Sequence, residues 1–554
     1  MNLKSRSFIR LAVVFCVTSL FVGCNKSKDY SKVSRGTGWD LNSKDGGFKF
    51  DPKFKEQPTG PGLVFIEGGT FTMGKVQDDP LGDWNNTPTQ QHVQSFYMDE
   101  TEVTNLMYLE YLDWMKRIFP PDEPGYENIY NGALPDTLVW RNRLGYNDVM
   151  TENYLRHPAY AQYPVVGVSW IQAMEYSKWR TDRVNEMMLD QEGYTAKGAR
   201  HRAKAGETFS TETYLNAPTQ AYGGNDSITR GGKESDRIAK KSADSTNLYA
   251  QKKDGVILPS YRLPTEVEWE FAALGMSDMR EYNQYRGRKK YPWDGSYTRS
   301  GNRNIAGQQL ANFKQGKGDY GGIPGWSDTG ADITAEVMSY PPNDYGLYDM
   351  AGNVAEWVAD VYRPMIDDEY SDFNYFRGNI YTKNKIGEDG KVHIVTREDM
   401  VYDTLSNGKI IARNLPGEIQ QVGLEDADMY LRTNFSESDQ RNFRDGDKMS
   451  TRNYQSFGFE GEDEGTRMYN YPQHSVSADS TGLALQYDKS SSRKTLINDE
   501  VRVYKGGSWK DRNYWLDPAQ RRYYPQDMAT DFIGFRCAMS RVGSKSQDKK
   551  RTRN

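Results

Sequence analysis

The sequence predicts an α+β body that is low in regular structure, with short strands, few helices and long loop insertions. Three observations predict it. A β-branched and aromatic run, Leu63-Val64-Phe65-Ile66, is closed by Gly68-Gly69 and reads as a short strand. Three helix starts carry a capping residue. Three polar segments, at about 120–160, 183–258 and 365–500, are longer than ordinary loops, and long loops in a compact domain are usually functional or disordered. The chain of 554 residues is ample for a large core.

The first 10 residues carry Lys4, Arg6 and Arg10, and the apolar run Leu11 to Val22 that follows has the length of a secretory h-region and is too short to span a bilayer. Residues 1–23 are therefore expected to form an export signal. The run closes at Leu20-Phe21-Val22-Gly23-Cys24, which resembles a bacterial lipobox and makes Cys24 the expected lipidation site; a plain secretory signal with an incidental cysteine is the alternative. Several acyl chains anchor stably where one is marginal. Residues 24–60, rich in Lys, Gly, Asp and Ser, read as a lipidated tether, and 542–554 as a basic flexible tail.

With Cys16 in the signal and Cys24 lipidated, Cys537 stands alone in the body, so no internal disulfide is expected. A net charge of −5 and a mean hydropathy of −0.84 give no basic bias toward nucleic acid. Thirty-eight tyrosines and 12 tryptophans suit a loop-rich fold or extensive interfaces.

The helices follow from their start signals. Thr104 precedes an apolar pattern through Met107, Tyr108, Tyr111, Leu112 and Met115. Ser169 with Gln172, and Thr265 with Glu268, have the spacing of capping boxes. Glu266, Glu268 and Glu270 alternate at the third helix start, where the macrodipole favours acids, and read as capping and solvated. The five histidines, His92, His157, His201, His393 and His474, lack the i, i+3 or i+4 spacing of a helical metal site, and His92 reads as a structural hydrogen-bonding residue.

Six phrases taken in order resemble the signatures of the formylglycine-generating enzyme (sulfatase-modifying factor) domain family. They are Leu63 to Gly74, Glu102-Val103-Thr104-Asn105, Tyr163 to Trp170, Arg262 to Glu270, Asn343 to Trp357 and Gly534-Phe535-Arg536-Cys537-Ala538. The resemblance implies the formylglycine-generating-enzyme fold, related to C-type lectins and often carrying calcium, over residues 61–541. The family's oxidase binds Cu(I) through two thiolates beyond its Gly-Gly-Ser segment, ligands that suit that soft ion. Aligning Gly506-Gly507-Ser508 puts Asp511 and Leu516 in those places, so neither copper nor catalysis is expected. Ala355 stands where the family usually has Trp. Cys537, in a phrase that reads as a core strand, is expected to be a buried small residue and not a nucleophile.

The resemblance further implies a structural Ca²⁺ held by the side chains of Asp349 and Glu356 and the carbonyls of Gly352 and Val354, an oxygen cage of the kind the ion requires. A second site would use Asn312, the Phe313 carbonyl and Asp328, with Asp332 an alternative acid. More narrowly, nearly the whole chain resembles the gliding-motility lipoproteins of this family. That implies a non-catalytic outer-membrane protein facing the periplasm, whose partners are other gliding-motility and type IX secretion subunits, related lipoproteins among them. The alternative is an enzyme or ligand binder that reuses the family cleft through Ser508, Asp511 and Arg512.

Overall fold

The fold is that of a computed structural model, which describes residues 34, 36–40, 56–75, 86, 88–141, 147–196, 198–229, 249–276, 289–315, 322–323, 326–327, 331, 333–362, 382–388, 390–405, 407–423, 474–479, 482–487 and 501–543. Cys24, Asp328 and Asp332 lie outside the described residues, as do the export signal, most of the tether and the tail beyond 543. Contacts divide the chain into two units, 1–56 and 57–554. In the first, Ser34 Oγ accepts from the backbone of Gly36 and Thr37 and turns the chain.

The second unit contains the strands β1 (Leu63–Ile66), β2 (Gly69–Met73), β3 (Thr89–Val93) and β4 (Phe96–Asp99), followed by helices α1 (Asn105–Ile118) and α2 (Trp170–Gln191). Then come β5 (Tyr261–Arg262), α3 (Glu266–Leu274), β6 (Ala355–Val361), β7 (Val501–Lys505), β8 (Arg522–Pro525), β9 (Ile533–Phe535) and β10 (Ala538–Ser540). One antiparallel sheet has the order β1-β4-β10-β5; a second has the order β8-β7-β6-β9, in which β9 runs parallel to β6. The closing Gly534 to Ala538 phrase, expected as one core strand, is two. β9 pairs with Ala355 to Trp357 in the second sheet and β10 with Phe96 to Met98 in the first, so Arg536 and Cys537 bridge the sheets.

The three expected helices form where their caps place them. Thr104 Oγ1 accepts from Met107 N, and both capping boxes close, Ser169 with Gln172 and Thr265 with Glu268. α1 and α2 bury an aromatic seam of Tyr108, Tyr111, Tyr176 and Trp179 that reaches Phe535 of β9. Such rings combine a large buried area with edge-to-face contacts. α3 closes a second core over β2, β3, β6 and β7.

Two of the segments read as loop insertions contain more helix than expected. The first holds Glu127–Ala133 and Asp148–Asn153; α2 itself runs on to Gln191, beyond the expected start of the second. That second segment adds Ala199–Arg202 and Thr211–Asn216 around a core of its own, with Leu189, Phe209, Tyr214 and Tyr222. Its described residues are thus packed, not merely looped. Described strands of the third segment form short antiparallel hairpins, such as Tyr402–Thr404 with Ile410–Ala412.

Candidate functional site

The Gly506-Gly507-Ser508 turn leaves β7 with both glycines at positive φ, +94° and +70°. A Cβ on Gly507 would come within 2.8 Å of the Trp515 carbonyl, which glycine alone avoids. The turn delivers Ser508, fully buried, whose hydroxyl donates to Asp511 Oδ2 at 2.6 Å. Asp511 also takes both ends of the Arg522 guanidinium, at 2.6 and 2.7 Å. Arg522 in turn lies between the rings of Tyr504 and Trp515, 4.7 and 4.5 Å from their centroids. A bidentate pair of this kind is strong and directional, so the Asp511 carboxylate is held by a cation and a hydroxyl. Leu516 is fully buried against Tyr291, Phe313, Ala311 and Ala351. Arg512, grouped with Ser508 and Asp511 in the alternative reading, is exposed.

Beside this turn lies the loop expected to hold calcium. Asp349 and Asn353 adopt positive φ, 56° and 59°, and a Cβ on Gly352 would stand 2.4 Å from the Asn312 carbonyl. That close approach joins the two expected ion loops, with Asn353 N donating to Asn312 O at 2.8 Å and Gly352 N to Gly506 O at 2.9 Å. Glu356 gives both oxygens away. Arg536 binds it bidentately at 2.6 and 2.7 Å, and Trp269 Nε1 donates to it at 2.7 Å.

Asp349 Oδ2 accepts from Met338 N at 3.0 Å, and burial pushes its carboxyl up to about 6. Glu102 joins the group from the segment before α1, accepting from Asn353 Nδ2 at 2.7 Å and Val354 N at 3.1 Å. Burial first, then the charges of Asp349 and Glu356, hold it well above the usual carboxylate range. Three carboxyls therefore face a single guanidinium.

A divalent cation suits that charge, but Glu356, expected as a side-chain ligand, has both oxygens engaged by protein donors. At the second loop the fit is better in one respect: Asn312 is fully buried, and its Oδ1 has no partner among the described residues. An orphaned amide oxygen is the donor that Ca²⁺ takes. Among the described residues, no group of three or more His, Cys, Asp or Glu side chains is placed to hold a metal.

Sequence reasoning missed a second ionic cluster directly behind the turn. Glu266 and Glu270, expected to be solvated, are fully buried. Lys505 Nζ lies 3.2 Å from Glu266 Oε1 and 2.8 Å from Glu270 Oε2, and Arg521 Nε donates to Glu266 Oε1 at 2.6 Å. Glu268, between them in sequence, does cap the helix and pairs with Arg262. The missed signal was available in Lys505 and in Arg521-Arg522, basic residues flanking the Gly-Gly-Ser segment. Cys537 is buried as expected and burial pushes its thiol up to about 12. His92 hydrogen-bonds with the Thr70 hydroxyl across the β2–β3 hairpin.

The family profile described as "Sulfatase-modifying factor enzyme 1-like domain" matches residues 49–397, more than half of the chain. The chain belongs to this family. It is similar to the formylglycine-generating enzyme of Thermomonospora curvata, 40% identical over 337 residues, 56% of this chain and 76% of that enzyme. It is also similar to the serine/threonine-protein kinase pkn1 of Chlamydia pneumoniae, 27% identical over 310 residues, 56% of this chain but only 29% of the kinase. Among solved structures it is similar to PvdO from Pseudomonas aeruginosa at 14% identity, covering 86% of this chain and 94% of that one with a TM-score of 0.33. The family match ends at 397, whereas both sheets described above are completed by residues 501–540.

Proposed function

We propose that this family member is a non-catalytic lipoprotein of the outer membrane, anchored through Cys24 and facing the periplasm, that serves gliding motility and the linked type IX secretion system as a structural and interaction component. The observation that carries the non-catalytic part is the lock on Asp511. A carboxylate held by Arg522 and Ser508, with Leu516 packed into the core, offers neither a thiolate pair for copper nor a free general base.

The assignment to gliding motility rests on resemblance to the lipoprotein GldJ. The lipobox, the Gly36 to Asn42 stretch, the Trp84 to Phe96 entry, the Met98 to Val103 phrase and the long third insertion carry it. After Cys24 the sequence Asn25-Lys26-Ser27-Lys28 has no acidic run, which favours the periplasmic face. Among the described residues no helix is long and apolar enough to cross a membrane; the proposed lipid attachment rests on the lipobox resemblance at Cys24. Kinship of the fold with C-type lectins and a structural Ca²⁺ at the Asn312 and Asp349 loops belong to the same proposal.

Variants, co-purification and assays of the purified chain test it. Cys24→Ala should release a folded body from the membrane fraction and abolish gliding, while the native protein should co-purify with other motility and secretion subunits; sedimentation unchanged by C24A removes the lipoprotein reading. The purified chain should neither bind Cu(I) tightly nor oxidise cysteine in a sulfatase-type peptide, and turnover on that peptide would make it an enzyme.

A further inference from the structure

The described residues 382–388, 390–405 and 407–423 of the third insertion join neither four-stranded sheet, yet they reach both other insertions and α2. Against the first insertion, Arg397 donates to the Tyr126 hydroxyl and to Glu123 Oε2, both at 2.7 Å, and Lys409 Nζ donates to the Leu134 carbonyl at 3.1 Å. Against the second, Thr213 Oγ1 donates to the Gly417 carbonyl at 2.8 Å and Gln421 Nε2 to Glu212 Oε1 at 3.0 Å. On α2, Lys178 pairs with Glu418 at 2.8 Å, and near the chain's end Asn407 Nδ2 donates to the Asp527 carbonyl at 2.7 Å. Apolar contact with the main core is slighter, since Met400, Ala412 and Leu415 pack there only partly buried. A segment held mostly by polar contacts opens at lower cost than a core strand.

Glu175 of α2 lies beneath this strap, on the wall of a cavity of about 120 Å³ to which the strap contributes Ile411, Arg413, Leu415 and Glu418. The cations around it are committed elsewhere: Lys178 to Glu418, Lys409 to the Leu134 carbonyl and Arg413 to Asp403. Desolvation disfavours the charged form of a carboxyl placed in this way. Burial accordingly pushes Glu175 up to about 7, with Glu418 adding to the rise and Lys409, Lys178 and Arg413 opposing it. Lifting the strap would return the group to water and to its ordinary value near 4.5. The docked strap therefore holds a proton that the lifted one releases, so docking is strongest below this window and weakens as pH rises through about 7.

The neighbouring groups do not all act in one sense. Asp182, beside Arg183, is pushed by burial up to about 6, and burial also raises Glu212; both add to the effect. Lys409, which also faces Asp136, is pushed down by burial and opposes it. His393 pairs with Asp399 at 3.3 Å inside the strap itself. We propose that the third insertion is a proton-sensitive strap, closed over α2 and both other insertions when Glu175 is protonated and loosened when it ionises. The device is separate from the family cleft, and it stands whether or not the motility reading does.

The test is hydrogen exchange of the solubilised full chain, read by mass spectrometry at pH 5.5 and pH 8 and corrected for the intrinsic rate. Peptides from 390–423 should be about tenfold less protected at pH 8, the worth of one pKa unit, while peptides from β7 keep their protection. Glu175→Gln preserves the side chain's shape and leaves His393 in place; it should remove most of the ratio by raising protection at pH 8. Lys409→Met, made on the strap, removes a cation that favours the ionised form and should steepen the ratio. Equal strap protection at both pH values, an equal loss in β7, a Glu175→Gln variant that keeps half or more of the ratio, or a ratio flattened by Lys409→Met would overturn the proposal.

Discussion

Replacing Lys505 by Met should destabilise this protein far more than its lost contacts suggest. Lys505, Glu266 and Glu270 are all fully buried, with N–O distances of 3.2 and 2.8 Å, and Arg521 supplies the second cation to Glu266. Counted over these four side chains, two carboxylates face two cations. Met fills much the same volume but removes one of the two cations that these carboxylates face. Breaking a buried pair in this way costs about 3–5 kcal/mol, whereas replacing both members by neutral groups is often close to neutral.

The second change therefore has a signed consequence. K505M with Glu270→Gln removes one charge of each sign and so keeps the balance of the native cluster, since Glu266 keeps Arg521 and the new amide can still accept from Gly74 N, as Glu270 Oε1 does now at 2.8 Å. Chemical denaturation of the soluble body should show K505M lowering the midpoint and the double variant recovering most of the loss. Adding one core mutation to another would then stabilise. A loss below about 1 kcal/mol for K505M, outside the range for a broken buried pair, or a double variant less stable than K505M, would refute the charge accounting.

Two further outcomes follow from the same geometry. In a variant with Cys16 and Cys24 replaced, Cys537 is the one thiol left, and with its pKa pushed up to about 12 it should react with thiol reagents at pH 8 only when the protein unfolds; stoichiometric labelling of the native protein would contradict that. If the Asn312 loop holds Ca²⁺, chelator should lower the melting temperature of the wild type and leave Asn312→Ala unaffected, the ion contributing about 2.7 kcal/mol at a hundredfold excess over its dissociation constant. Identical melting of the wild type in both buffers would remove calcium from the proposal.

What could be read from the sequence was local. Thr104, Ser169 and Thr265 start helices because a cap is satisfied within three residues of itself, and Leu63 to Ile66 announces a strand by composition. The helices of the insertions escaped because segments of four to seven residues, such as Ala199–Arg202 and Glu127–Ala133, are too short to show a period. Glu266 and Glu270 were misread for a different reason. Acids in a first helical turn are ordinarily solvated, and the partners that bury these two lie some 235 to 255 residues away along the chain. Glu102 stood inside a recognised phrase, yet nothing near it in sequence indicates that its oxygens accept from Asn353 and Val354.

The phrases that mark the family are, in this chain, largely statements about packing. Gly507 is required by the Trp515 carbonyl, Gly352 by the Asn312 carbonyl, and Arg536 by Glu356, which also holds Trp269 of α3. None of these roles involves the two positions occupied by Asp511 and Leu516. The Arg-paired carboxylate of Asp511 and the core side chain of Leu516 therefore sit beside the signature without being needed for any of these contacts. Membership of the family then fixes the frame and leaves the chemistry open. For this protein the frame's ionic interior, with Lys505 one residue before the Gly-Gly-Ser turn and Arg521 one residue before the arginine that holds Asp511, ties the turn to the core.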